Sequence, residues 1–201
     1  GLRSAQLTAH NTTNNFADSC CDARKWNGLN EHGRAVIREM NRLGMVVNVA
    51  HASDETILQA VEVSTDPMVF SHGGFRHFVD TPRNITDGAA KAIAAKGGVI
   101  GIQFGSSFNN PKFAAWSRRY PLGPAKPAAP AAPAVQKPSR YATMSIEEVD
   151  REVAKGLPAV YRGAIPDEYW MGTDQLARVI DYGVQLVGEE HMALGSDFDG
   201  G

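Results

Sequence analysis

Cysteine is nearly absent. Cys20 and Cys21 are the only two in 201 residues, and they are adjacent. A structural zinc site needs spacings such as C-x-x-C with further ligands, so this pair does not make one. Neighbouring cysteines close a strained ring when they pair, so the expectation is two small unpaired residues in a loop, with no bearing on redox compartment. Also lacking is any apolar run near the roughly 18 residues of a membrane span, and no secretory leader stands at Gly1. Charge of one sign is missing too. The net charge is −2 and the isoelectric point is about 6.3, which gives no electrostatic reason to expect nucleic acid as a partner. No G-x-G-x-x-G follows any apolar run, which removes the commonest dinucleotide reading. With 43% hydrophobic and 21% charged residues, what remains is ordinary globular material, long enough for one domain with a core. The chain starts at Gly1 and ends at Gly200-Gly201, and both ends read as cut from something longer.

Five short runs read as strands: RSAQLT (3–8), MVVNVA (45–50), MVFS (68–71), GVIGIQF (98–104) and HMALGS (191–196). Most are continuously apolar, as strands buried on both faces of a parallel sheet are. Helical patterns lie between them. LNEHGRAVIREMNRLG carries Val36, Ile37, Met40 and Leu43 on one stripe, with Asn30 as N-cap and Gly44 as stop. Ser53 caps SDETILQAVEVS, and Thr86 opens TDGAAKAIAAKGG. GTDQLARVIDYGVQLVG puts Leu176, Val179, Ile180, Val184 and Val187 on one face. Strand–helix alternation of this kind predicts right-handed crossovers and a parallel sheet, either an open doubly wound one or a closed (β/α)8 barrel. One region breaks the rhythm. The segment 120–140 is rich in Pro and Ala and reads as an extended surface excursion. It is followed by an amphipathic pattern over 143–157 with Ser145 and Glu148 as a capping box. Residues 105–171 together read as an insertion within a single domain, 1–201, serving either as a spacer or as a lid.

In parallel α/β folds ligands sit beyond the carboxyl ends of the strands. The residues there are His10 and Asn11, His51, His72, Gln103 to Gly105, and Asp197. MVVNVA ends in His51, and MVFS ends in His72. A lone histidine in such a place is usually solvated and structural. Two on consecutive strands can converge on one divalent ion, for which neutral imidazole is a common ligand, and they then need at least one carboxylate beside them. Asp197, in LGSDFDG with Gly195 and Gly200 expected to let the chain turn, can ligate a metal or take a proton from water. It can equally form a local turn. His32, His77 and His191 are placed less favourably.

Taken in order, LTAHNTTNNFADS, GLNEHGRAVIREMNRLGMVVNVAHAS, VFSHGGFRHFVDTPRNITD, KGGVIGIQF and LVGEEHMALGSDFDGG resemble the membrane dipeptidases, also called renal dipeptidases. The likeness covers nearly all of the chain except about 106–170. It implies a (β/α)8 barrel, of which these would be the fourth to eighth strands, with two zinc ions at the carboxyl rim. It also implies hydrolysis of dipeptides, including those with a D-residue at the carboxyl-terminal side, by a metal-bridging hydroxide. By motif, His51 and His72 resemble the histidine ligands of the second zinc. Asp197 resembles the acid/base, His10 the histidine that assists the tetrahedral intermediate, and Arg83 the arginine that binds the substrate carboxylate, a pairing suited to a guanidinium. Phe108 stands at a substrate-side position where relatives can carry tyrosine.

The family's L-T-H is LTAH here, so counting back from ADS selects His10 and counting forward from the strand selects Ala9; His10 is the residue taken. The family's His-x-Asp motif and bridging glutamate have no counterpart in the 201 residues, so these residues alone are expected to be neither stable nor active. Competing readings are a related amide or lactam hydrolase, and an inactive fragment or homologue. The expected partner is a small dipeptide, with a homodimer as the assembly the reading admits. The resemblance and the Pro/Ala segment point to an extracytoplasmic setting, whether periplasmic, secreted or membrane-anchored.

Overall fold

The protein was analysed as a computed structural model that describes residues 1–8, 10–119, 145, 148 and 169–198. All five predicted strands form: β1 (Ser4–Gln6), β2 (Val46–Asn48), β3 (Val69–Gly73), β4 (Val99–Ile102) and β5 (Met192–Leu194). They pair in sequence order, β1-β2-β3-β4-β5, and every pairing is parallel. Their carboxyl ends therefore share one rim.

The crossovers are α1 (Glu31–Arg42), α2 (Asp54–Val63) and α3 (Asp87–Ala95). Each begins at its expected cap. The side chain of Asn30 accepts from the Gly33 N–H, Ser53 from Thr56 and Thr86 from Ala89, which satisfies one of the orphan donors of each first turn. After β4 come two helices that the sequence pattern does not announce, α4 (Ser106–Asn109) and α5 (Pro111–Arg119). Then α6 (Thr173–Val187) and a 3-10 turn (Glu189–His191) lead into β5. The Pro/Ala segment and most of the 143–157 pattern lie outside the described residues. Ser145 and Glu148 do make the reciprocal capping pair, Ser145 N–H to Glu148 Oε2 at 2.8 Å and Glu148 N–H to Ser145 Oγ at 3.3 Å.

The core lies between sheet and helices. Val47, Val49, Phe70, Ile100 and Ile102 from the strand regions pack with Ile37, Met40, Ile57, Ala60, Ala89, Ile93 and Val179 from the helices. Burial of each large apolar side chain contributes about 1.5–3 kcal/mol. Two expected stripe positions differ. Leu43 is the C-cap of α1 and is exposed, and of the α6 face only Val179 is fully buried.

Backbones approach closely where β3, β4 and the end of β5 meet. A Cβ placed on Gly101 of β4 or on Gly195 after β5 would run into the carbonyl oxygen of Ser71 in β3. Gly195 is thus required by close approach of the backbone, not by the sharp turn expected of it.

The expectation for the cysteines is corrected. Cys20 and Cys21 are joined by a disulfide in the turn between β1 and α1. There the Cys20 N–H donates to the His51 carbonyl at 2.8 Å and the Cys21 N–H to Ser19 Oγ at 3.4 Å. The folded turn supplies a constraint that ring strain in a free chain does not reveal.

Candidate active site

All six residues singled out from the sequence, His10, His51, His72, Arg83, Phe108 and Asp197, line one cavity of about 610 Å³ at the carboxyl rim. Ala9, the other counting choice, lies outside the described residues. His51 follows β2. His72 was expected just past its strand but sits inside β3, within the register shift between Phe70 and Gly73. In a regular strand Ser71 and His72 would point to opposite faces. The irregularity brings them together, with Ser71 Oγ 2.8 Å from His72 Nδ1, as bulges beside functional sites tend to do.

Three of the four non-glycine residues with positive φ among the described residues are candidate site residues: His10 (53°), His51 (64°) and Asp197 (57°). Left-handed backbone at a residue with a Cβ costs about 1–2 kcal/mol, and such strain gathers where geometry serves function. Around His51 the surroundings hold the strain in place. Its carbonyl accepts from the Cys20 N–H at 2.8 Å and from Ser19 Oγ at 3.1 Å.

The two imidazoles meet edge to face, their Nε2 atoms 3.0 Å apart. The far nitrogen of each is bonded, His51 Nδ1 to Asn11 Oδ1 at 2.9 Å and His72 Nδ1 to Ser71 Oγ. Two nitrogens on one tetrahedral zinc stand about 3.3 Å apart, so the pair fits a shared ion with little adjustment. Asp197 Oδ2 lies 3.9 Å from His72 Nε2 and accepts from Gln103 Nε2 at 2.6 Å. Among the described residues no group of three or more His, Cys, Asp or Glu side chains gathers tightly enough to hold a metal. Two histidines alone do not make up the three or more ligands that a bound zinc takes from the protein.

Burial holds the His51 imidazolium pKa down to about 3, with the positive charge of Arg83 and the neighbouring His72 and His10 acting in the same direction. His72 is also lowered, first by burial and then by Arg83, against the opposing pull of Asp197. Both rings are consequently neutral at physiological pH, the form that binds metal.

The His10 ring stacks on His51 with centroids 5.0 Å apart. Arg83 is 6% exposed, and its Nη2 donates to the His72 carbonyl at 2.9 Å. Its Nη1 is buried with no partner. Burial lowers the guanidinium pKa to about 10, against the pull of Asp197, which still leaves a full positive charge at neutral pH. The Phe70 and Phe108 rings lie 5.8 and 5.9 Å from it, at cation–π range. Its neighbour Asn84 fixes the loop, accepting from the Gly74 N–H at 3.1 Å and donating to the Phe108 carbonyl at 2.8 Å. A positively charged guanidinium lining the cavity suits an incoming anion.

The histidines set aside stay apart from this cavity. His32 and His77 are exposed, and His191 Nδ1 bonds the Gly98 carbonyl at the amino end of β4. Sequence reasoning gave no role to Ser71, which the strand irregularity conceals, or to Asn11 and Gln103, which it placed at strand ends without partners.

Residues 1–201 match the membrane dipeptidase family, peptidase family M19. An uncharacterized dipeptidase of Schizosaccharomyces pombe is 42% identical over 112 residues, which cover 55% of this chain and 27% of that protein. The solved structure of the probable dipeptidase PvdM from Pseudomonas aeruginosa matches 100% of this chain and 52% of its own, with TM-score 0.69 and 27% identity. A metallopeptidase from Rhodobacter sphaeroides, liganded with a phosphinate mimic of the dipeptide L-Ala-D-Ala, shares the fold over 100% of this chain and 43% of its own, with TM-score 0.65 and 21% identity. The matched stretch spans about a quarter of the length of the first curated relatives.

Proposed function

Because the chain belongs to the membrane dipeptidase family of metallopeptidases, we propose that it is the part of a zinc dipeptidase that supplies the last five strands of a (β/α)8 barrel and one half of a two-zinc site. Residues 1–201 would form one barrel-derived domain, with 105–171 as its insertion. The observation that carries the reading is the convergence of six residues from five strand ends on one cavity, with His51 Nε2 and His72 Nε2 3.0 Å apart.

His51 and His72 would hold one zinc. When bound, zinc polarises a carbonyl and lowers the pKa of water to about 7. The remaining roles belong to this chain's side chains. Arg83 takes the terminal carboxylate of the dipeptide, which fixes substrate length. Asp197, held on Oδ2 by Gln103, accepts the proton of the attacking water and returns it to the departing amine. His10 donates to the oxygen that gains negative charge. Phe108 offers Arg83 an aromatic wall with no hydroxyl, a shape that tolerates either hand at the carboxyl-terminal residue. The same wall favours, as a second reading, another small amide or a lactam as substrate.

The test is zinc content together with hydrolysis of L-Ala-D-Ala by the full-length protein and its His51→Ala variant. The expected result is two zinc ions and turnover in the wild type, with turnover lost in the variant. Unchanged turnover in the variant would sink the assignment, and a panel of L,L-dipeptides, L,D-dipeptides and N-acyl amino acids separates the two substrate readings. Assayed alone, the 201 residues are expected to be inactive, because too few ligands gather among those described. No helix among the described residues is long and apolar enough to cross a membrane. An extracytoplasmic setting, with a homodimer as the assembly, completes the proposal.

A further inference from the structure

Residues 81–84 form a tight turn. The Thr81 carbonyl accepts from the Asn84 N–H at 3.0 Å. Pro82 stands second and Arg83 third, an order in which the proline presets the backbone of the turn. Thr81 and Arg83 both line the cavity, so one short loop delivers two side chains to it.

The turn is held from outside. Arg76 Nη2 donates to the Pro82 carbonyl at 3.3 Å and to the Asn84 carbonyl at 3.0 Å. The same guanidinium makes a bidentate pair with Asp54, at 2.7 and 3.2 Å. Asp54 is the first residue of α2, shortly after His51. The turn is thereby fastened to the segment that carries His51, and its side chains need little ordering when a ligand arrives.

Thr81 is half-buried. Both of its backbone groups are used. Its N–H donates to the Val79 carbonyl at 2.9 Å, and its carbonyl closes the turn. The hydroxyl is not used. At the first position of a turn a hydroxyl can bond the N–H two residues on, which here belongs to Arg83. That bond is not made, and Thr81 Oγ1 has no hydrogen-bond partner among the described residues. Nor is it one of the polar atoms enclosed without a partner. It is an accessible donor in the same turn as a buried positive charge.

A carboxylate has about four lone-pair sites, more than one guanidinium takes up, and Arg83 already spends Nη2 on the His72 carbonyl. A neutral hydroxyl beside it adds a charge-assisted bond without adding a second cation near a metal site.

We propose that Thr81 is a substrate-binding residue. Its hydroxyl donates to the terminal carboxylate that Arg83 receives, which makes the turn a two-donor clamp for a free carboxyl end. The inference rests on the dipeptidase reading of the cavity.

The full-length protein and its Thr81→Val and Thr81→Ser variants are compared in steady-state hydrolysis of L-Ala-D-Ala. L-alanine ethylamide, the same dipeptide with hydrogen in place of its carboxylate, serves as a competing ligand. Valine matches threonine in shape and lacks the hydroxyl. Thr81→Val is expected to raise KM about tenfold, with kcat and the ethylamide inhibition constant held. Thr81→Ser is expected to keep the wild-type KM. A residue that served only the fold would affect both ligands alike. Turnover by the wild type with KM unchanged in Thr81→Val overturns the inference alone. So does an equal loss of affinity for both ligands, or a Thr81→Ser variant as impaired as Thr81→Val. No hydrolysis by the wild type overturns the dipeptidase reading and the inference with it.

Discussion

Three of the residues that carry the proposed chemistry are held in a backbone conformation uncommon outside glycine. His10, His51 and Asp197 all have φ between 53° and 64°, in the region where Asp and His are enriched and β-branched side chains are not. The site is sustained by rigid neighbours, and Asp18 is the most connected of them. It is buried and accepts from the backbone N–H groups of Lys25, Trp26 and Gly28, at 2.8–3.1 Å. Its own carbonyl accepts from Ser53 N–H and from Thr56 Oγ1. Burial by itself would raise the Asp18 pKa. The Gly28, Lys25 and Trp26 donors, with the charge of Arg24, outweigh it and leave the carboxyl below its ordinary value. A depressed carboxyl stabilises the fold above its unfolded pKa of about 3.9, and that contribution is lost as pH falls through the folded value. Asp18→Asn is thus expected to cost about 1.5–3 kcal/mol at pH 7, with the gap to wild type closing below about pH 4, as read by urea unfolding at both pH values. At Arg83, replacement by Lys keeps the charge but gives up the planar fork. We expect a rise in dipeptide KM of about tenfold or more, with kcat less affected, in steady-state kinetics.

At the scale of elements, most of the architecture was readable from the sequence because its signals are local. Caps at Asn30, Ser53 and Thr86 and unbroken apolar runs mark helices and buried strands without reference to the rest of the chain. Ser53→Ala should cost about 1 kcal/mol in a denaturant titration, at a helix that starts three residues after His51. What the pattern could not give depends on contacts between elements. The pleat rule places Ser71 on the wrong face because the irregularity in β3 exists only against β4. Helices α4 and α5 carry no clear stripe, and the Cys20–Cys21 bond needs a folded turn to form. Gly101 reads as a weak point in a strand until the Ser71 carbonyl is seen against it. Gly101→Ala is expected to destabilise by about 3 kcal/mol or more, and circular dichroism melting would check it.

At the scale of the whole molecule, the five-stranded parallel sheet has one free edge on β1 and one on β5 among the described residues. Exposed Leu2 and Val46 lie near the first, and Leu194 and Phe198 near the second. Free edges and apolar side chains of this kind invite further pairing. The family-specific residues were legible here only as a linked set, because each histidine taken singly has an ordinary explanation.

Residues 106–113 and 169–171 are clasped to each other. Asn110 Nδ2 donates to the Tyr169 carbonyl at 2.8 Å, Met171 N–H donates to Ser106 Oγ at 2.8 Å, and the Phe113 and Trp170 rings lie 5.4 Å apart. The two flanks of the rim are thus tied to each other directly, by contacts that lie wholly within the body carrying the histidines.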